Sequence, residues 1–290
     1  MPSIVNAFAE ISDQYDVAFV DLWGCMHNGI TPFQDSVSAM QSYRERGGKV
    51  VLVTNSPRPW DSVEQQLLDM GMAHCWDAIA TSGDSARAAM FRGFVGSKVW
   101  FMGETPRDDD FFKPLNIIDN PVNIQNVPLD QAEGIVCCGP FDSHADIDVN
   151  RPEFLYAKTK GLKLLCANPD IIVDRGESRE WCAGALAALY TEMGGESLYF
   201  GKPHPPIYDL ARRRYAALTD SMSDPRIIAI GDGIRTDILG AQQEDIDSLF
   251  ITGGLAATET KTVTQPDETA LSIYIETEKV TPTHSIGFLR

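Results

Sequence analysis

Short apolar runs that each stop on a polar, reactive residue constrain this chain more than any other feature. Val17-Ala-Phe-Val20 stops on Asp21, and Val50-Val-Leu-Val53 on Thr54. Leu198-Tyr-Phe200 leads into Gly201-Lys202-Pro203, and Arg226 to Ile230 into Gly231-Asp232-Gly233. Apolar runs of this length without alternation read as strands buried on both faces, the pattern of parallel sheets. Helical stretches separate them. Pro32 to Arg46 puts Val37, Met40 and Tyr43 on one face and stops at Gly47-Gly48. Asp61 is expected to N-cap a helix running to Gly71. Tyr208 to Ala217 and Asp237 to Gln243 read as further helices, and Leu249 to Thr252 as a last strand. Strands alternating with helices predict a doubly wound α/β fold on a parallel sheet with right-handed crossovers.

A different texture interrupts the series. Lys98 to Phe101, Gly134 to Cys138 and Leu162 to Cys166 read as strands, and Phe154 to Lys160 and Trp181 to Met193 as helices. Thr105 to Gln131 is rich in Asp, Asn and Pro. These residues predict an inserted α/β domain over 82–198, dividing a core made of 1–81 and 199–290. Glu259 to Glu268 is polar and reads as a surface loop.

The balance of charges limits the function classes. A formal net charge of −17 disfavours nucleic acid, whose backbone rewards clustered Lys and Arg. It leaves room for a small anionic substrate, because a cation in a cleft reverses the local field. No stretch approaches the ~20 apolar residues of a membrane span, and the acidic start does not resemble a signal or transit peptide. A cytoplasmic location is therefore expected. The six cysteines form no C-x-x-C pair and read as buried thiols, with Cys137 and Cys138 facing opposite sides of a strand.

Ligands of a parallel α/β sheet bind outside the carboxyl ends of its strands. Asp21, Thr54, Lys202 and Asp232 all fall at such ends, and each suits phosphate chemistry. A carboxylate such as Asp21 can attack phosphorus and divide one difficult step into two. The Thr54 hydroxyl and the Lys202 ammonium suit the equatorial oxygens, and a lysine nearby keeps a carboxylate ionised. Asp21, Asp232 and Asp237 together make an acidic site that needs a cation, for which Mg²⁺ is the natural choice.

The elements Asp21-Leu-Trp-Gly24, Thr54-Asn-Ser56, Gly201-Lys-Pro203 and Gly231-Asp-Gly-Ile-Arg-Thr-Asp237 resemble the four motifs of the haloacid dehalogenase (HAD) superfamily. The insertion between the second and third resembles the α/β cap of its class IIA, with Thr81-Ser82, Ala167-Asn-Pro-Asp170 and Cys182-Ala-Gly-Ala185 as further matches. That group contains nucleotide, 4-nitrophenyl, phosphoglycolate and pyridoxal phosphate phosphatases. The resemblance implies a Rossmann-like core with a substrate-selecting cap and a Mg²⁺-dependent phosphatase acting on a small phosphorylated metabolite. It implies Asp21 as nucleophile and metal ligand, the backbone carbonyl of Trp23 and Asp232 as further ligands, and Asp237 behind them. Thr54, Asn55, Ser56, Lys202 and Gly233 would contact phosphate. Asn168 and Asp170 would lie in a cap loop that helps choose the leaving group, or form a plain turn. Caps of this class often make a dimer contact, so a homodimer is also implied.

One position departs from the pattern. The superfamily's phosphatases carry a second Asp two residues after the nucleophile, which protonates the leaving alcohol and later activates water. Here that position is Trp23, whose indole can do neither. His27 is the nearest candidate replacement, with an unperturbed pKa near 6.5, and His204 a second. A substrate with a good leaving group would need less help. The alternatives are a non-phosphatase hydrolase of dehalogenase or phosphonate type, or a protein that binds a phosphorylated metabolite without turning it over. Lys158, Lys160 and Lys163 suit an exposed face better than a Schiff-base site. Arg58 and Arg235 flank the motifs and can meet an anion or pair with a carboxylate.

Overall fold

Short apolar strands, buried at their centres, build the molecule's two larger sheets. The computed structural model describes residues 2–113, 115, 120–175, 178–219 and 224–290. In chain order its elements are β1 (Ser3–Ile4), β2 (Val17–Val20), α1 (Gln34–Glu45), β3 (Lys49–Thr54), α2 (Trp60–Asp69), β4 (Ala78–Thr81) and α3 (Ser82–Phe91). Then come β5 (Lys98–Met102), β6 (Gln125–Asn126), β7 (Gly134–Cys137), α4 (Arg151–Thr159), β8 (Lys163–Cys166), β9 (Ile172–Arg175), β10 (Ser178–Trp181), α5 (Ala183–Glu192) and β11 (Glu196–Tyr199). The chain ends with α6 (Pro205–Ala216), β12 (Ile227–Gly231), α7 (Leu239–Gln243), β13 (Asp247–Ile251), α8 (Glu268–Glu278) and β14 (His284–Ile286). Among the described residues no helix is long and apolar enough to cross a membrane.

The chain divides into two compact units. One comprises Met1–Thr54, Glu64–Ala80 and Tyr208–Arg290, the other Asn55–Val63 and Thr81–Ile207. The sheet of the first runs β1-β14-β13-β12-β2-β3-β4. Its pairings from β1 through to β3 are parallel. Every residue of β2 and β12 is buried, which is why both read as unbroken apolar runs. From β2 the chain builds outward to β3 and β4, whereas β12, β13 and β14 extend the other way. The strand order therefore reverses between β2 and β12, the point where open α/β sheets form their ligand crevice.

The second unit contains the five-stranded parallel sheet β11-β8-β7-β5-β6 and the antiparallel hairpin of β9 and β10. Alternate residues of its strands fill two cores. Ile135, Cys137, Leu164 and Cys166 pack with Phe154 of α4 and Leu186 and Tyr190 of α5. Val136, Cys138 and Leu165 pack with Ala86, Met90 and Phe91 of α3. Helices thus cover both faces of this sheet, and Cys137 and Cys138 face opposite ways as the strand period requires. All six cysteines are buried free thiols.

Some elements differ from the sequence expectation. Asp61 is not an N-cap: it lies in the first turn of α2, where its carboxylate accepts from Ser62 N at 2.9 Å. Asp84 instead accepts from Trp60 N at 3.3 Å. The expected helix from Asp237 starts earlier, as a π-turn over Ile234–Ile238, with Ile238 N reaching back to Gly233 O at 3.2 Å. The polar stretch after Glu259 is a loop, as expected, but one of its residues pins it from within. Thr260 within it is buried, donates to Ala256 O at 2.7 Å and lies 2.8 Å from the Thr262 hydroxyl. Trp181 belongs to β10 rather than to a helix.

Candidate active site

The parallel register of β2, β3 and β12 fixes which side chains share an edge of the first unit's sheet. Val20 lies level with Ile230 on one side and Leu52 on the other. Asp21 N donates to Ile230 O at 2.8 Å, so the chain continues straight from β2 into Asp21. Asp21, Thr54 and Asp232 therefore leave the sheet at the same edge, and all three are buried. One ligand atom each from Asp21, Cys25 and Asp232 lies within 4.8 Å of the others. Donors held by one small divalent cation at ~2.0–2.3 Å must lie this close, so the set fits such an ion. Cys25 is the member that sequence reasoning missed; its only signal was its place four residues after Asp21.

Glycine brings the two loops together. Gly24 has φ +80°, and a Cβ there would lie 2.2 Å from Asp232 Oδ2. Only a residue without a side chain fits that close approach in that conformation. Asp232 Oδ2 also accepts from Leu255 N at 3.0 Å, so its orientation is fixed from two sides. Asp237 acts behind it. Its Oδ2 accepts from Gly233 N at 3.1 Å and Thr236 Oγ1 at 3.3 Å, closing the loop that carries Asp232. The Gly233 N–H, expected to meet phosphate, is thus directed at Asp237.

Residues 22–29 form a closed turn after Asp21. Gly24 N donates to His27 O at 2.9 Å, and the Trp23 ring meets His27 edge-on with centroids 5.4 Å apart. A Cβ at Gly29 would lie 2.4 Å from that indole. His27 is only 3% exposed, and its Nδ1 accepts from Gly29 N at 2.9 Å. Burial lowers its pKa to about 4, so at neutral pH the ring is uncharged. In that state the Nδ1 lone pair is taken by the Gly29 N–H, and the low pKa makes the ring a weak base with no imidazolium to serve as an acid.

In the second unit, Asn55 Oδ1 accepts from Lys202 N at 2.8 Å, and its Nδ2 donates to Lys202 O at 3.2 Å. The same Nδ2 donates to Asp170 Oδ1 at 2.8 Å. One side-chain amide therefore grips both main-chain groups of Lys202 and ties them to the 168–170 turn, where Asn168 Oδ1 accepts from Asp170 N at 3.0 Å. Lys202 itself is buried. Ser56 O accepts from Gly83 N at 3.0 Å and Ser56 Oγ from Arg58 N at 3.3 Å. His204 stacks on Tyr199 with centroids 4.8 Å apart, and burial lowers its pKa.

Other candidates have plain partners. Arg235 pairs with Glu278 at 2.7 Å in the first unit. In the second, Lys163 pairs with Glu196 at 2.9 Å, and Lys160 donates to Asp130 O at 3.1 Å.

Known proteins are similar to this chain over the segments that carry these residues. Residues 18–116 match the haloacid dehalogenase-like hydrolase family profile, and residues 199–274 the HAD-hydrolase-like profile. A haloacid dehalogenase-like hydrolase from Brucella suis 1330 is 33% identical, with a TM-score of 0.85 over 99% of this chain and 100% of that one. Ribonucleotide monophosphatase NagD of Escherichia coli (strain K12) is 22% identical over 235 residues, covering 80% of this chain and 85% of that protein. Glycerol phosphate phosphatase from Mycobacterium tuberculosis, in complex with magnesium, has the same fold at 22% identity. Its TM-score is 0.62 over 84% of this chain and 70% of that one.

Proposed function

Because this chain belongs to the haloacid dehalogenase-like hydrolases, we propose that it is a Mg²⁺-dependent phosphatase of a small phosphorylated metabolite, with Asp21 as nucleophile. The observation that carries this reading is the buried convergence of Asp21 and Asp232 where the strand order reverses. Two carboxylates held together away from water repel each other strongly unless a cation joins them. Asp21 and Asp232, with the Trp23 carbonyl by family resemblance, would hold Mg²⁺. Bound there, the ion would neutralise charge on the transferring phosphoryl group.

The chain's own groups would perform the rest. A carboxylate oxygen of Asp21 attacks phosphorus, the ester oxygen leaves, and water then hydrolyses the aspartyl-phosphate. Thr54, at the same sheet edge, offers its hydroxyl to the phosphoryl oxygens. Lys202 is the cation that family resemblance assigns to the phosphate, and Asn55 holds its main chain in place. Asp237 keeps the Asp232 loop closed. Trp23 brings no proton donor, and His27 is neutral at pH 7. Substrates whose leaving oxygen is stable without early protonation, such as acyl or aryl phosphates, are therefore favoured over alkyl esters.

A panel of aryl phosphates, acyl phosphates, sugar phosphates and nucleotides, assayed with Mg²⁺, tests the proposal. Turnover should vanish with EDTA and in Asp21→Asn, and should rise steeply as the leaving group becomes more acidic. Undiminished turnover in Asp21→Asn would remove Asp21 as nucleophile.

A further inference from the structure

The loop after β2 places a sulfur atom where the proposed metal pair needs only oxygen. Cys25 Sγ and one carboxylate oxygen each from Asp21 and Asp232 lie within 4.8 Å of one another, and all three residues are buried. Ligands of one zinc-sized ion, at ~2.3 Å for sulfur and ~2.0–2.2 Å for oxygen, lie at most about 4.5 Å apart. A shift of a few tenths of an ångström would close the set on an ion. The backbone holds Cys25 in place, with Cys25 N donating to Leu22 O at 3.3 Å and the next residue, Met26 N, to Leu22 O at 2.8 Å. Asp232 is pinned by Leu255 N and by the lack of a side chain at Gly24.

We propose that Cys25 supplies a sulfur ligand to the Asp21–Asp232 centre, so that a thiophilic divalent cation of the zinc class competes there with magnesium. Magnesium demands oxygen ligands and keeps its waters, whereas zinc and cadmium gain from a thiolate. On binding, the Cys25 S–H bond breaks, a sulfur–metal bond forms, and the proton passes to the buffer; no oxidation is involved. The consequence is competition: a zinc-class ion displaces Mg²⁺ and arrests the Mg²⁺-dependent reaction. The inference rests on reading Asp21 and Asp232 as a metal pair, but not on the identity of the substrate.

Cadmium, titrated into the full chain, reports directly on a sulfur ligand through its near-ultraviolet thiolate-to-metal charge-transfer band. One equivalent of band is expected in the wild type. It should disappear in Cys25→Ser, which keeps an oxygen at the position, and weaken in Asp232→Asn, where every cysteine remains. Calorimetric titration should show the ratio of Zn²⁺ to Mg²⁺ affinity falling roughly tenfold or more in Cys25→Ser, because only the softer ion loses its preferred ligand. A band that persists in Cys25→Ser, an absent band in the wild type, or an unchanged affinity ratio would each overturn the proposal. Should Cys25→Ser fail to fold, the ¹¹³Cd resonance of the wild type decides: a mixed sulfur–oxygen shift supports it and an all-oxygen shift overturns it. An intact cadmium–sulfur band with no turnover of any phosphate would sink the phosphatase reading and leave the sulfur ligand standing. Magnesium-dependent turnover without the band would do the reverse.

Discussion

Lowering the pH from 7.5 to 5.0 puts a proton on His27 in the unfolded chain but not in the folded one. Burial takes its pKa from 6.5 to about 4. At pH 5.0 the unfolded imidazole is about 97% protonated and the folded one about 9%, from those two values. The unfolded state thus binds more protons, and stability falls with acidification. The contribution is complete above pH 6.5, is lost as pH falls towards 4, and levels off below that. The ratio of the two binding terms at pH 5.0 is about 30, which corresponds to about 2 kcal/mol. Urea denaturation at both pH values, in the wild type and in His27→Gln, measures this. His204, His284 and the carboxylates titrate in both proteins and cancel in the difference. The wild type should lose about 2 kcal/mol more than the variant. Parallel profiles, within ~0.5 kcal/mol, would show that His27 is not the buried neutral ring described above. Where the variant does not fold, an NMR titration of His27 serves instead, and a pKa above 6 would refute the reasoning equally.

Gly24→Ala should weaken divalent metal binding by about 10-fold or more, because its Cβ would lie 2.2 Å from Asp232 Oδ2. The left-handed backbone adds about 1–2 kcal/mol of strain, and calorimetric titration with Mg²⁺ against thermal melts separates the two effects. Asn55→Ala should cost about 2–4 kcal/mol in denaturation, since it strips partners from Lys202 N–H and the Asp170 carboxylate together. Asn55→Asp should be at least as damaging, because it sets a second carboxylate against Asp170; a neutral result would show that the amide does not make the bonds described.

What could be read from the sequence was what a parallel sheet writes into it. Val17–Val20 and Ile227–Gly231 are buried throughout, so their strand character survives as apolar runs, and the reactive residues follow at their ends. Very short strands leave no such trace. Ser3–Ile4 and His284–Ile286 are two and three residues long and not fully buried, and neither could be told from loop. The hairpin of β9 and β10 was likewise invisible, because short amphipathic strands carry little periodicity. Within the site, the motifs pointed to the residues but not to their partners. Asn55 stood out by its motif, but that its amide grips the Lys202 backbone across 147 positions of chain is something no spacing rule conveys. Cys25 passed as one more buried thiol because Asp232, which completes its cluster, is brought to it by the fold and not by sequence distance.

The pairing of β12 with β2 also sets a timetable for synthesis. Arg226 N, at the entry to β12, bonds the carboxylate of Asp16 at the entry to β2, 210 residues earlier in the chain. At ~5–20 residues per second, a ribosome needs about 10 to 40 s to supply one after the other. Within that interval the five-stranded sheet of the second unit acquires all its strands, since β5 to β11 lie between the two in the chain. The apolar edge of β2 meanwhile waits without its partner, a template for wrong pairing. The nascent chain therefore has most need of a chaperone not at its end but in its middle, when the strand that leads to Asp21 is made and not yet matched.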